Sequence, residues 1–114
     1  MTRGRQAYGR HGEDLAARWY DANGYDVLDR NWRCREGEID LVVRRDGELV
    51  FSEVKTRSSL AYGHPGEAVG WQKQQRIRRL ARAWLAAHDV HSTELRFDVV
   101  AIVGSTVEVI EAAF

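Results

Sequence analysis

Asp46-Gly47 stands between two apolar-rich runs, Glu38 to Arg45 and Glu48 to Thr56, and no other feature restricts the folding of this chain so tightly. An Asp-Gly step between strand-like segments closes a two-residue β-hairpin. The numbers of residues facing each other across such a hairpin share the sum of the turn pair, so Asp40 is expected opposite Glu53 and Glu38 opposite Lys55, all four on one face. Directly opposed side chains have β-carbons about 5 Å apart, and like charges placed there destabilise a sheet. A sheet that keeps the Asp40/Glu53 pair is expected to hold a divalent cation.

Other elements follow from periodicity. From Gly12 to Asn23 the spacing predicts a helix with Leu15, Trp19 and Ala22 on an apolar stripe, and Gly24 as its stop signal. Glu13 lies on the flank of that helix with Ala16, Ala17 and Tyr20, partly inward. Tyr25 to Arg33 reads as a strand, and Trp71 to His88 as a second helix with Ile77, Leu80, Ala81, Trp84 and Leu85 inward. One turn back on that inward face are Lys73 and Gln74, which should point at the sheet. Arg96 to Val103 and Thr106 to Glu111 close the chain as strands around Gly104-Ser105. The order helix, three strands, helix, two strands predicts an α/β sandwich with one central mixed sheet. Its strands are nearly continuous in apolar residues, as strands covered on both faces should be, and Asp40 and Glu53 interrupt them. Residues 57–70 form a long loop with the only proline, Pro65, and are expected to border the site. Residues 1–10, with Arg3, Arg5 and Arg10, read as a flexible basic arm.

The 114 residues suit one domain, 1–114. The formal net charge is zero, so a case for nucleic acid must rest on where charge lies. The single Cys34 excludes an intramolecular disulfide and fits a reducing compartment. Met1 to Asp14 lacks the apolar core of a signal peptide, and no run reaches membrane-spanning length, so a cytoplasmic location is expected. Of the 17 basic side chains only Lys55 and Lys73 are lysines. A lysine ammonium is a compact charge whose pKa shifts readily, unlike a guanidinium.

Magnesium and manganese favour carboxylate oxygens and leave part of their shell to water and phosphate. Asp40 and Glu53 supply that minimum, the Val54 carbonyl can add a third ligand, and Glu13 a further one if its helix packs over this end of the sheet. Lys55 can orient or deprotonate a water and balance charge on a scissile phosphate. Lys73, Arg76, Arg78, Arg79 and Arg82 fall in a helix with no acid from Trp71 to Ala87, a phosphate-facing surface that Gln74 and Arg10 extend. The four histidines form no zinc-spaced set with Cys34.

Gly9-Arg10-His11-Gly12-Glu13, Asn31-Trp32-Arg33-Cys34-Arg35, Gly37-Glu38-Ile39-Asp40-Leu41, Glu53-Val54-Lys55-Thr56-Arg57, Lys73-Gln74-Gln75-Arg76 and Arg96-Phe97-Asp98-Val99-Val100 follow one another in the order seen in a known family. On these blocks nearly the whole chain resembles the YraN-like uncharacterised proteins, which are similar to small members of the PD-(D/E)xK nuclease superfamily. The resemblance implies a restriction endonuclease-like sandwich, with Asp40 and Glu53 as metal ligands and Lys55 beside the attacking water. Glu13 matches the first-helix acid of archaeal Holliday-junction resolvases, and the same analogy implies a homodimer. Ile39 stands where the superfamily signature has proline, and the Gln-x-x-x-Tyr of some relatives is missing, since Gln72 is followed by Arg76 and Gln75 by Arg79.

Three functions are compatible with these residues. The first is a Mg2+- or Mn2+-dependent endonuclease acting on DNA, with branched or structured DNA as a candidate substrate. The second is a nucleic-acid-binding module with a vestigial nuclease site. The third is an interaction protein in which Lys55 merely pairs with Glu38 or Glu53 and the α-helical arginines are a solvated face.

Overall fold

The computed structural model describes residues 3–57 and 69–114, with side chains from residue 10 onward. Helix α1 spans Arg3–Ala22, followed by strands β1 (Asp26–Cys34), β2 (Gly37–Arg45) and β3 (Glu48–Arg57), helix α2 (Trp71–Ala87), and strands β4 (Glu94–Val103) and β5 (Thr106–Ile110). The order is the expected αβββαββ. One five-stranded sheet runs β1-β2-β3-β4-β5, with β3 and β4 parallel and the other neighbours antiparallel. This is a restriction endonuclease-like α/β sandwich, a mixed sheet with a helix on each face. Among the described residues no helix is long and apolar enough to cross a membrane.

Strand alternation sorts the apolar side chains into two cores. Leu41, Val43, Val50, Val100 and Ile102 pack with Ala16 and Tyr20 of α1. Val42, Leu49, Phe51 and Phe97 pack with Ile77, Leu80, Ala81 and Trp84 of α2. Trp32 and Cys34 are partly buried against the α2 side. The hairpin turn forms as expected, Asp46 taking the left-handed φ of 54° that short polar residues tolerate.

Two boundaries differ from the sequence reading by more than one residue. The helical backbone of α1 begins at Arg3, through the segment read as a basic arm, and passes both Gly9 and Gly12. Gly12 is buried, and a β-carbon there would meet the Thr56 hydroxyl of β3, so this glycine lets helix and sheet approach closely. Strand β4 starts at Glu94 because its parallel ladder with β3 begins at Glu48↔Glu94. The loop expected to border the site lies, from residue 58 to 68, outside the described residues, as does Pro65.

A buried polar network ties α1 to the sheet centre. Asp98 is fully buried and accepts hydrogen bonds from Tyr20 Oη (2.7 Å), Arg96 Nε and an Arg96 terminal nitrogen (2.8 and 2.9 Å) and the Ala112 amide (3.0 Å). Arg96 also donates to Glu48 and to the Tyr25 hydroxyl, while Tyr20 Oη lies 3.0 Å from Ser52 Oγ. A buried charge is tolerable when paired and fully hydrogen-bonded, as here, and costly once a partner is removed. Asp98→Ala is therefore expected to lose about 3–5 kcal/mol in urea unfolding, and Tyr20→Phe about 1–2 kcal/mol, because the hydroxyl gives up one bond to a charged acceptor.

Candidate metal and phosphate site

The β2/β3 ladder follows the predicted register from Arg45↔Glu48 to Leu41↔Ser52. Beyond that point the expected opposition of Asp40 and Glu53 gives way to a fork. Asp40 Oδ2 accepts a hydrogen bond from the Val54 amide at 2.8 Å, so a side chain takes a donor that a continuing strand partner would engage through its backbone. Facing alternation breaks at the same place: Ile39 and Val42 both join the α2-side core, whereas Leu41 and Val43 face α1. Two residues, Asp40 and Leu41, thus intervene between inward positions where alternation allows one.

Asn31 marks the fork on the other side of β2. Its neighbours pair as Arg30↔Leu41 and Trp32↔Ile39, which sets Asn31 level with Asp40, and its backbone takes a left-handed φ of 54° inside a strand. Asparagine tolerates that region better than most residues, and strain of this kind concentrates at functional sites. The Asn31 side chain hydrogen-bonds Glu13. Sequence reading assigned Asn31 no role, although an asparagine in mid-strand was a visible signal.

The fork redistributes the acids. Carboxylate oxygens of Glu13, Glu38 and Asp40 lie within 4.8 Å of one another, a spacing that suits a shared cation. Glu38 does not oppose Lys55 as expected; its other neighbour is Arg33, at 3.1 Å. Burial, then the charge of Glu53, then those of Glu13 and Glu38 push the Asp40 carboxyl up to about 8, against the lowering effect of the Val54 amide. Burial and the Glu38 charge likewise raise Glu13. Three carboxylates, Glu53, Glu13 and Glu38, therefore converge electrostatically on Asp40, with Glu38 an addition to the predicted set.

Strand β3 alternates around this centre. Val54 packs partly into the α1-side core, while Glu53 and Lys55 belong to the α2 face. Lys55 is buried, and its ammonium is lowered by desolvation and then by the neighbouring charge of Lys73. The chain's only two lysines thus meet here. Lys73 Nζ stands 2.8 Å from Glu53 Oε1, in a partly buried ion pair.

The remaining phosphate-facing candidates divide. Gln74 donates through Nε2 to the Val69 carbonyl at 3.0 Å and so holds the chain entering α2 instead of facing outward. Arg76 and Arg82 are exposed on α2, and Arg10 is exposed on α1. Arg79 is exposed and pairs with Glu36 at 3.3 Å, whereas Arg78 lies over the Phe97 ring, 4.7 Å from its centre.

The raised Asp40 pKa carries a definite sign. A carboxyl whose pKa is higher in the folded than in the unfolded chain stabilises the fold when protonated, and that contribution is lost as pH rises through the folded value. In EDTA, the wild-type protein is expected to lose stability between about pH 5 and 8, whereas Asp40→Asn, measured by urea unfolding, should show a shallower slope and be the more stable protein at pH 8 by about 1–2 kcal/mol.

The model of the uncharacterised protein family UPF0102 matches residues 12–102, a span that includes Glu13, the fork, both lysines, Arg96 and Asp98. Among curated proteins, the chain is 59% identical to a UPF0102 protein of Beutenbergia cavernae over 100 residues, covering 88% of this chain and 85% of the relative. It is 57% identical to one of Frankia casuarinae over 100 residues, with the same coverage, and 55% identical to one of Rhodococcus opacus over 96 residues, covering 84% and 81%. With a matching family model over most of its length and relatives aligned across most of theirs, the chain belongs to the uncharacterised protein family UPF0102, the YraN-like proteins.

Proposed function

We propose that the protein is a Mg2+- or Mn2+-dependent endonuclease that hydrolyses phosphodiester bonds in DNA. The observation that carries the proposal is the convergence of Glu13, Glu38, Asp40 and Glu53 at a sheet fork beside the buried Lys55. The donor set fits a hard divalent cation: it is all carboxylate oxygen, and the burial and mutual repulsion that raise Asp40 are what a bound cation would offset. Asp40, Glu13 and Glu38 would hold the ion, with Glu53 and the Val54 carbonyl as further candidates. Such an ion lowers the pKa of water and stabilises charge on a phosphate.

The chain's own residues supply the rest. Desolvation and Lys73 make the Lys55 ammonium easier to deprotonate, so Lys55 Nζ is suited to receive the proton of a water attacking phosphorus in line with the leaving oxygen. The phosphorus–oxygen bond then breaks and the leaving oxygen takes a proton from solvent. Asn31 and the Val54 amide hold Glu13 and Asp40 in place before substrate arrives. The exposed Arg10, Arg76, Arg79 and Arg82 suit a DNA backbone, which rewards basic groups through counterion release. Structured or branched DNA is the substrate class favoured by the likeness to resolvases.

Asp40→Asn and Glu53→Gln are expected to reduce Mn2+-dependent cleavage of branched and single-stranded DNA by at least about 100-fold while leaving the fold intact by circular dichroism. Cleavage that persists in both variants defeats the assignment. Arg76→Ala and Arg79→Ala should each lower the slope of log Kd against log salt by about one in DNA binding. Salt-dependent binding by wild type with no cleavage in any metal favours the binding module with a vestigial site.

A further inference from the structure

Lys73 occupies an electrostatically awkward position. It lies in the first turn of α2, where the helix dipole presents partial positive charge and unpaired N–H groups, and Gly70 at the N-cap brings no side-chain oxygen to offset them. The first turn carries no acid either. Its ammonium is also close enough to Lys55 to depress that group. Against these unfavourable terms stands the 2.8 Å ion pair with Glu53, which is only 16% exposed. Glu53 is in turn the charge that weighs most on Asp40.

From this arrangement we propose that Lys73 is a positioning residue that latches Glu53 and couples metal binding to phosphate binding. It rests on the metal-site reading above and adds which residue governs entry to that site. In the free protein, Lys73 neutralises Glu53 and holds it on the α2 side, so a divalent cation must compete with an internal ammonium for that carboxylate. A DNA phosphate arriving at the start of α2 offers Lys73 a replacement anion, at a helix end already suited to one. Lys73 then leaves Glu53, and the freed carboxylate turns its charge toward the cation. Metal and phosphate bind with positive coupling as a result, and by linkage each strengthens the other equally.

Calorimetric titration of MnCl2 into the intact chain tests the latch without any turnover. Wild type, Lys73→Met and Arg76→Met are compared, each alone and with a saturating phosphorothioate-protected branched DNA. Arg76 is exposed on the same helix, so Arg76→Met measures the effect of merely removing one nearby positive charge. Lys73→Met should bind Mn2+ about five- to tenfold more tightly than wild type without DNA, with less than about a twofold gain in Arg76→Met. Added DNA should tighten Mn2+ binding to wild type and Arg76→Met but change Lys73→Met little. Equal or weaker Mn2+ binding by Lys73→Met, or an equal gain in both variants, overturns the latch while leaving the metal site standing. Absence of Mn2+ binding in every protein, with and without DNA, removes the metal site and the latch together.

Discussion

The fork between β2 and β3 is the constraint on which the candidate site depends. Hairpin pairing continues while backbone groups satisfy one another, and it stops where Asp40 offers the Val54 amide a carboxylate instead. The Asp40 carboxylate is thereby held at the end of the ladder, within 4.8 Å of carboxylate oxygens of Glu13 and Glu38. Glu13 comes in from α1, Glu38 from the end of β2, and Glu53 with Lys55 from the α2 face of β3.

The position of α1 is fixed by a different part of the sheet. Tyr20 and Glu13 are seven residues apart, about two helical turns, so they share a helix face. Tyr20 is anchored by Asp98 and Ser52, and Gly12 sits against Thr56 with no intervening side chain. These contacts set both the rotation of the helix and its distance from β3, and Glu13 is carried to the fork as a consequence. The Arg96/Asp98 network thus acts on the site through the helix, without touching it.

Fold class was legible because it rests on patterns of long range in the sequence. Asp46-Gly47 gave the hairpin, the apolar periodicities gave both helices, and the nearly continuous apolar strands announced a sheet covered on both sides. The scarcity of lysine pointed to Lys55 and Lys73 before anything placed them together, and their common environment beside Glu53 makes physical sense of it. The fork was not legible, because register arithmetic assumes that every ladder donor finds a backbone acceptor. Glu38 was accordingly paired with Lys55, and Asn31 was passed over. Asp98 offered a weak signal, a lone acid preceding the apolar run Val99 to Val103.

By itself the sequence determined the order of elements, the hairpin register up to Leu41↔Ser52 and the residue types available for chemistry, since these follow from local geometry and periodicity. Only the tertiary structure decided which charges meet. Whether Asp40 faces Glu53 or binds Val54, whether Lys73 faces solvent or Glu53, and whether Glu13 reaches Glu38 depend on competition among groups distant in sequence, settled by burial and by the hydrogen bonds each arrangement allows.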